Sequence, residues 1–276
     1  MNWKTIRVGI LVILVVVNLA LFWLNRLEQD QLYAATDDQL QQVIALYEEN
    51  EVDLDVLIHR ESYPRARVIL GNASLLDRSL VEVLLGTEYQ TTYMDAQQTR
   101  YAKEGETILL DPTHHRIEYT SEQLRWPLWE EETLRSWADT QVSACVGDLE
   151  YVCIQESMEE EYAEFLYCQH WNEEYLFMNQ ILVRIEAEGT AQIIMEYYEP
   201  MGYEETEREI RPIDEMLYAV LRVILEERQD DEAIVVTEIR SGYDLKGQEA
   251  VYCLEFVLNH GEKTIRMNAY TNERMD

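Results

Sequence analysis

The histidines and cysteines are the side chains of this sequence best suited to bind a metal or to act as nucleophiles. The chain has five histidines and four cysteines. No two histidines are four residues apart, the spacing that places two metal ligands on one face of a helix. Cys168 and His170 would share one face of a strand, but no second pair accompanies them. We therefore interpret these two residues as structural.

The other candidate ligands are neighbours in the sequence. His114 and His115 follow Asp111-Pro112, a combination typical of turns, so a surface role is favoured over a metal site. Adjacent glutamates are interpreted as solvated faces, because calcium requires oxygen ligands that converge from a folded loop. These runs are Glu130–Glu132, Glu159–Glu161 and Glu204–Glu205.

Motifs of the common catalytic sites do not occur in this sequence. It has no Gly-x-Ser-x-Gly elbow, no glycine-rich phosphate loop and no cysteine with a convincing histidine partner. We therefore predict a protein that is not an enzyme, with no catalytic residue, no cofactor and no metal ligand.

One uncharged stretch, Val8–Leu24, has the composition of a membrane segment. As a helix, its seventeen residues rise by about 25 Å. Trp3 and Trp23 lie where aromatic residues meet the lipid headgroups. We predict a transmembrane signal-anchor helix over residues 8–24, preceded by a cytoplasmic tail over residues 1–7.

The flanking charges predict the orientation of this helix. Lys4 and Arg7 precede it, whereas Arg26 is followed at once by acidic residues. The positive-inside rule then places the N-terminus in the cytoplasm and the rest of the chain outside the cell. The alternative is a signal peptide removed near Tyr33-Ala34-Ala35. We favour the uncleaved anchor, because a signal peptide has a shorter apolar region with its cleavage site directly after it.

Asn18 is the only clearly polar residue of the apolar stretch. Gly9 and Ala20 are too far apart for close packing through small residues. An amide in hydrocarbon seeks a hydrogen-bond partner, so Asn18 is a candidate contact with another membrane helix. The alternative is that Asn18 lies near the outer interface and binds water. Together with Trp3 and Trp23, Asn18 forms the predicted partner-binding set.

The charge of the chain disfavours whole classes of partner. The formal net charge is −32. Beyond residue 26, all 54 acidic residues and 19 of the 22 basic residues remain, which gives −35. Such a surface repels nucleic acid and anionic lipid headgroups. We therefore predict no nucleic-acid partner, and contact with the bilayer only through residues 8–24.

Cysteine content leaves two alternatives open. The four cysteines are too few for a disulfide scaffold. Cys153 and Cys168 flank a predicted hairpin turn at Met158–Tyr162 and would lie across from one another, so one bridge is conceivable. We favour buried free thiols, because no spacing in the sequence enforces pairing.

Hydrophobic periodicity predicts four helices beyond the membrane segment. They begin after Thr36, after Ser74, at Glu130–Glu132 and after Pro212, and the second should end at Gly86. Alternating or β-branched segments predict antiparallel strands between them. These segments are Ala66–Leu70, Thr87–Met94, Arg100–Ala102, Thr107–Leu110, Arg116–Tyr119, Leu149–Gln155, Glu164–His170, Leu182–Ala187, Gln192–Tyr198, Ala233–Arg240, Ala250–Leu258 and Lys263–Ala269.

These elements predict an α+β fold, in which antiparallel sheets pack with helices outside the cell. A helix followed by antiparallel strands occurs in both halves of the chain. We therefore predict two similar α+β units, over residues 27–123 and 141–276, joined by a connecting segment over residues 124–140.

Several short sequences, taken in order, resemble the YycI family of membrane-anchored proteins, with the related YycH proteins as second choice. They are Met1-Asn-Trp-Lys4, Gly105-Glu-Thr-Ile-Leu-Leu-Asp-Pro112, Ile117-Glu-Tyr-Thr120, Phe177-Met-Asn-Gln-Ile-Leu-Val183 and His260-Gly-Glu-Lys-Thr-Ile-Arg-Met-Asn-Ala-Tyr-Thr271. The chain departs from the family at Asn272, where a glycine is common.

The resemblance implies a function by binding. It implies a single-pass, non-catalytic accessory regulator of the YycG/YycF (WalK/WalR) two-component system, which controls cell-wall homeostasis in Gram-positive bacteria. The implied partners are the YycG/WalK-type sensor histidine kinase and a YycH-type sister protein, contacted through the membrane helix and the extracytoplasmic domain. The alternative is a membrane-tethered extracytoplasmic enzyme or ligand-binding module for cell-envelope material.

Overall fold

The computed structural model describes residues 14–21, 35–59, 63–72, 75–95, 98–122, 129–229 and 233–275. The helices are α1 over residues 14–21, α2 (Asp37–Glu49), α3 (Arg78–Leu85), α4 (Glu131–Val146) and α5 (Ile213–Glu227). The strands are β1 (Val52–Leu54), β2 (Arg65–Gly71), β3 (Gln90–Tyr93), β4 (Thr99–Lys103), β5 (Glu106–Asp111), β6 (Arg116–Ser121), β7 (Tyr151–Met158), β8 (Tyr162–Trp171), β9 (Glu174–Glu186), β10 (Ala191–Glu196), β11 (Glu199–Arg208), β12 (Ile234–Lys246), β13 (Glu249–Leu258) and β14 (Lys263–Asn268). The predicted α+β class is confirmed.

Helix α1 is the described part of the apolar stretch. Its large apolar side chains are between 49 and 58% exposed. Among the described helices, none combines the length and the apolar character needed to span a bilayer. The predicted membrane helix over residues 8–24 and the tail over residues 1–7 extend outside the described residues and stay predictions.

Helix α2 begins as its sequence predicts. Thr36 Oγ1 accepts a hydrogen bond from the Gln39 amide at 3.3 Å, and Gln39 Oε1 accepts one from the Thr36 amide at 2.9 Å. This reciprocal pair is a capping box, which satisfies amides at the start of the helix. The buried hydroxyl of Tyr47 donates to the Leu217 carbonyl oxygen at 2.8 Å and ties α2 to α5.

The start of α3 differs from the prediction. Its N-cap is Asp77, whose Oδ1 accepts a hydrogen bond from the Ser79 amide at 2.6 Å. The predicted cap, Ser74, lies outside the described residues. The helix ends at Leu85, and Gly86 follows with a φ of 76°. The predicted end at Gly86 is therefore confirmed.

Helix α4 begins next to Glu130–Glu132, as predicted, but is longer than predicted because Val142 continues the spacing of Leu134 and Ala138. All three apolar side chains are buried. The described part of the predicted connecting segment, residues 124–140, therefore packs in the core.

The strands form one branched sheet in which β9 is the shared element. On one side, β9 pairs with β8 along its length. On the other side, its first residues pair in parallel with β12, and its last residues pair antiparallel with β10. Strands β10 and β12 therefore lie one after the other along the same side of β9.

Asn179 lies on β9 between these two pairings and is fully buried. Its Oδ1 accepts a hydrogen bond from the Tyr198 amide at 2.8 Å, and its Nδ2 donates to the Tyr198 carbonyl oxygen at 2.8 Å. The Nδ2 group also donates to Gln169 Oε1 at 2.6 Å. The side-chain amide thus satisfies backbone groups of Tyr198, which would otherwise be costly to bury.

The sequence pattern does not predict β1, β11 or the first half of β9. Strand β11 contains Pro200, Gly202 and several glutamates, a composition that favours a loop. It is extended because it pairs with β2, and the pairing shifts register between Pro200 and Gly202 and between Tyr203 and Glu207. Tertiary pairing here overrides local propensity.

The apolar core consists of two large clusters that share β9. Leu176 and Met178 of β9 belong to a cluster with α2, α5 and β12 to β14. Ile181 and Val183 belong to a cluster with α3, α4, β5, β6, β8 and β10. The first cluster contains residues from before and from after the predicted connecting segment over residues 124–140. This segment therefore does not separate one packed core from the other. The physical reason is the length of β9, which reaches from one cluster into the other.

Gly242 allows β12 to approach β9. It pairs with Tyr175, and a Cβ atom at Gly242 would lie 2.2 Å from the Tyr175 carbonyl oxygen and 2.8 Å from the Phe177 ring. No side chain fits at these distances unless the two strands separate.

Replacing Gly242 with alanine should therefore destabilise the fold by about 1–3 kcal/mol, the usual cost of overpacking a core. Urea unfolding of the full chain in detergent micelles, followed by circular dichroism, measures this change. Gly71→Ala is the matched control, because the new Cβ would meet only Cγ and Sδ of the Met201 side chain, which is exposed and can move aside. Equal stability of the two variants would contradict this role of Gly242.

Candidate functional site

The residues predicted to bind a partner in the membrane are described only in part. Asn18 lies in α1, and its side chain is exposed. Trp3 and Trp23 lie outside the described residues. The contact between Asn18 and another membrane helix therefore stays a prediction.

The four cysteines are free thiols. Cys153 pairs with Tyr167, and Cys168 pairs with Val152 on the facing strand. Successive residues of a strand point to opposite faces, so Cys153 and Cys168 cannot meet across this hairpin. Burial raises the pKa of Cys145 to about 12. This thiol therefore stays protonated at neutral pH and is a poor nucleophile.

Cys168 and His170 do not form a ligand pair. The buried Cys168 Sγ donates to the Leu176 carbonyl oxygen at 3.1 Å, whereas the His170 ring packs against Tyr175 at 5.4 Å between ring centres. The pairing of β8 with β9 shifts register directly after Cys168, so Cys168 and His170 have different neighbours. In the part of the chain that the structure describes, no group of three or more His, Cys, Asp or Glu side chains is arranged to hold a metal.

The adjacent histidines lie in a short 3-10 turn between β5 and β6. His114 Nδ1 is 2.8 Å from Asp111 Oδ2, and its side chain is largely exposed. The His115 ring stacks on Tyr198 at 4.3 Å between ring centres. His114 is therefore at the surface, as interpreted from the sequence, whereas His115 is only partly exposed and packs on Tyr198 outside the turn.

Asp111 is a buried carboxylate held by several donors. Its Oδ2 accepts a hydrogen bond from Gln98 Nε2 at 2.7 Å, and its Oδ1 accepts one from the His114 amide at 3.1 Å. Burial by itself would raise the pKa of Asp111. The hydrogen bonds from Gln98 and His114 outweigh burial and lower this pKa to about 2.

A cleft of about 250 Å³ lies between the start of α5 and strands β12 and β13. Three basic side chains line it, Arg65, Arg211 and His59, although the whole chain carries a net charge of −32. Ser241 and Tyr252 supply hydroxyl groups. The other lining residues are Leu57, Ile210, Ile213, Met216, Ile239 and Leu254.

Arg65 is the central basic residue of this cleft. Its Nη2 is 3.3 Å from Glu174 Oε1, and Glu174 Oε2 accepts a hydrogen bond from Ser241 Oγ at 2.6 Å. The guanidinium carbon lies 5.2 Å from the centre of the Tyr252 ring. Burial opposes the charge, but Tyr252 and Glu174 favour it, so the pKa of Arg65 is raised. Its Nε is buried and has no hydrogen-bond partner among the described residues.

A row of aromatic rings extends from the cleft to the surface at β11. The ring centres are 5.3 Å apart between Tyr252 and Tyr243, 6.0 Å between Tyr243 and Tyr203, and 5.0 Å between Tyr203 and Trp171. Burial raises the pKa of Tyr243, so this phenol stays protonated. These rings pack against one another, and aromatic pairs at such distances stabilise the fold.

A buried ionic cluster lies on the other face of β12, β13 and β14. Glu255 accepts hydrogen bonds from Arg240 Nη1 at 3.2 Å and from Arg266 Nε at 2.8 Å. Arg266 also donates to Asp244 Oδ2 at 2.9 Å and lies 4.7 Å from the centre of the Phe177 ring. Burial would lower the pKa of Arg266, but Glu255 and Asp244 raise it. The charges satisfy one another, which indicates a structural role.

Among the described residues that line the cleft, Ser241 does not donate its hydroxyl to an imidazole. A serine nucleophile is activated when its hydroxyl donates to an imidazole or another free base. Ser241 donates to Glu174, a carboxylate already paired with Arg65.

Sequence reasoning did not single out Arg65, Glu174 or Ser241. These residues belong to three strands that are distant in the chain, and none of them lies in a recognisable motif. The only available signal was the occurrence of charged residues at the starts of β2 and β9.

No family model and no curated protein matches this chain. Among solved structures, an uncharacterized protein from Eubacterium rectale ATCC 33656 has a TM-score of 0.50 and 10% sequence identity, over 82% of this chain and 91% of that chain. The C-terminal domain of Bacillus megaterium YpeB has a TM-score of 0.39 and 13% identity, over 74% of this chain and 94% of that chain. The similarity to the Eubacterium rectale protein concerns the fold alone.

The lowered pKa of Asp111 predicts a specific loss of stability in acid. Its folded-state pKa of about 2 lies below the value of about 3.9 expected for an unfolded chain. The stabilisation is therefore complete above about pH 4 and is lost as the pH falls through 2. Asp111→Asn should cost about 1–2 kcal/mol at pH 7 and very little near pH 2.

Urea unfolding of the full chain in detergent at pH 7, 4 and 2 measures this difference. Asp148→Asn, at an exposed position, is the control and should change little at any of these pH values. A cost for Asp111→Asn that does not depend on pH would contradict the assignment.

Proposed function

We propose that this chain is a membrane-anchored, non-catalytic accessory regulator of a cell-wall-related two-component sensor histidine kinase of the YycG/WalK type. It acts by protein–protein contacts through its membrane helix and its extracytoplasmic body, together with a YycH-type sister protein. The observation that carries this proposal is the apolar stretch Val8–Leu24, whose described part is a helix with exposed apolar side chains, next to a folded acidic body.

The covalent connection between helix and body supports this arrangement. Leu21 ends the described part of α1, and the buried Ala35 is the first described residue of the body. Fourteen peptide units reach at most about 50 Å even when fully extended. The body therefore stays within that distance of the membrane helix, where it can contact the outer part of a kinase that the helix contacts in the bilayer.

Several residues of the family-like segments have defined structural roles in the body. Gly105 occupies a turn at a φ of 87°, Asn179 bridges the sheet, and Asn268 Oδ1 accepts a hydrogen bond from the Tyr270 amide at 2.9 Å. Asn272, where the family commonly has glycine, has a φ of 56°. Asparagine tolerates this left-handed conformation better than most residues, so the departure preserves the backbone.

A regulator of this kind requires no chemistry. A partner that binds one signalling state of the kinase more tightly than the other shifts the equilibrium by that difference in affinity. The membrane helix supplies a contact in the bilayer, and the body supplies a second contact outside. Two linked contacts bind more tightly than either one alone.

Asn18→Leu tests the contact in the membrane. Interhelical hydrogen bonds contribute about 0.6–2 kcal/mol, so recovery of a YycG/WalK-type kinase with the full chain in detergent should fall roughly 3- to 30-fold. Val17→Leu, which keeps an apolar side chain at the adjacent position, should leave recovery unchanged. Unchanged recovery with Asn18→Leu would reject this contact.

Autophosphorylation of the kinase in lipid nanodiscs tests the regulatory function itself. Addition of the full chain should change the rate of kinase autophosphorylation, and a chain lacking residues 1–26 should change it less. An identical rate with and without the full chain would overturn the proposal.

The alternative function is a module that binds an anionic cell-envelope fragment, for which the cleft at Arg65 would be the binding site. Its volume of about 250 Å³ lies below the usual range of about 300–1,000 Å³ for ligand pockets. Arg65 is also already paired with Glu174. We therefore expect no saturable heat of binding when soluble peptidoglycan fragments are titrated into the full chain. Binding that disappears in Arg65→Gln would favour this second candidate.

A further inference from the structure

The segment Asn272–Met275 folds back along β14, and we refer to it as the strap. The Asn268 amide donates a hydrogen bond to the Glu273 carbonyl oxygen at 2.8 Å, and the Met275 amide donates to the Arg266 carbonyl oxygen at 2.9 Å. An antiparallel bridge lies between these two bonds. Strand β14 pairs with β13 on its other side. The strap therefore covers the edge of β14 that faces away from β13.

Met275 anchors the strap in the body. Its side chain is 8% exposed and belongs to an apolar cluster that also contains residues of β7, β8, β9 and β13. The pairing with β14 places Met275 opposite Arg266, and residues directly opposite each other share one face of a sheet. This face carries the buried ionic cluster of Arg266, Glu255 and Asp244. Met275 therefore covers part of the face on which these charges lie.

The side-chain ties of the strap are exposed ion pairs. Glu273 pairs with Lys246 of β12, and Arg274 pairs with Glu227 at the end of α5. Each of these four side chains is at least 31% exposed. Exposed ion pairs contribute little stability, and salt screens them further. The strap is therefore held mainly by Met275 and by its backbone bonds to β14.

The partners of the strap on α5 have other basic partners of their own. Glu227 also pairs with Lys263 at 2.7 Å. Asn272 Nδ2 donates to Glu215 Oε2 at 3.3 Å, and Glu215 also lies 3.7 Å from Arg211. Release of the strap would therefore leave both glutamates next to a basic side chain, which lowers the cost of release.

We propose that the strap is a latch that opens as a unit while the rest of the body stays folded, and that salt favours the open state. Opening uncovers the free edge of β14 and the side of the ionic cluster under Met275. Segments with few buried apolar contacts open at a lower free energy than core strands. An uncovered strand edge is able to pair with another chain, so the latch controls access to this edge. This inference goes beyond the proposed function and does not depend on it.

Salt should act in opposite directions on the strap and on the body as a whole. The chain carries a net charge of −32, and salt screens the repulsion among its excess carboxylates. The strap is held in part by attraction between opposite charges, which salt weakens. Opening of the strap should therefore become faster in salt, whereas unfolding of the body should not.

Hydrogen exchange of the full chain in detergent micelles, read residue by residue by nuclear magnetic resonance, tests the proposal. The Asn268 amide is bonded to the strap, whereas the amide of the next residue, Ala269, is bonded to the Tyr252 carbonyl oxygen on β13. After correction for intrinsic rates, Asn268 should exchange at least about tenfold faster than Ala269. About 0.5 M sodium chloride should speed exchange at Asn268 at least about twofold and should not speed it at Ala269.

Variants of the anchor locate the latch. Met275→Ala should speed exchange at Asn268 at least about tenfold and leave Ala269 unchanged, because it removes the buried side chain of the strap. Met275→Leu keeps an apolar side chain and should exchange like the unmodified chain. Met195→Ala removes a buried methionine from the other large cluster and should not speed exchange at Asn268. Circular dichroism verifies that all three variants are folded.

Three results would overturn the proposal. They are equal exchange rates at Asn268 and Ala269, exchange at Asn268 that salt slows or leaves unchanged, and an equal effect of Met275→Ala on both amides. Any of them would mean that the strap opens only together with the sheet or that its ion pairs do not control it. None of these measurements involves the kinase, so their failure is distinct from failure of the proposed function.

Discussion

The close approach of β12 to β9 at Gly242 is the constraint on which the rest of the body depends. The absence of a side chain at Gly242 allows the Tyr175 carbonyl group to approach β12. Strand β9 can then pair with β12 at its start and with β10 at its end. Asn179 provides hydrogen bonds between these two pairings. Two apolar clusters are in this way joined through one continuous strand.

This arrangement determines what the charged residues do. The buried Glu255 carboxylate on β13 pairs with Arg240 on β12 and with Arg266 on β14, so it holds these three neighbouring strands together. In a chain with a net charge of −32, many of the other described carboxylates lie at the surface. The cleft at the start of α5 brings Arg65 and Arg211 together, and each of them is paired with a glutamate.

Some features of the body could be predicted because their cause is local. The capping box at Thr36, the helix end at Gly86 and the hairpin turn at Met158–Tyr162 all arise from residues close in sequence. The start of α3 was placed wrongly because Ser74 and Asp77 are both residue types that cap helices, and the cap is Asp77, whose Oδ1 accepts a hydrogen bond from the Ser79 amide. Strand β11 was missed for a different reason. Its proline, glycine and glutamates favour a loop, and only pairing with β2 makes it extended.

The sequence by itself determined the α+β class, the acidic surface and the apolar stretch Val8–Leu24, because periodicity, charge and hydrophobicity are properties of neighbouring residues. Only the tertiary structure decided that Cys153 and Cys168 lie on opposite faces, that Arg65 meets Glu174, and that two cores share β9. These facts depend on strand register and on contacts between residues far apart in the chain. A shift of one residue in register would move every side chain of a strand to the other face, and no local pattern specifies which distant strand supplies that register.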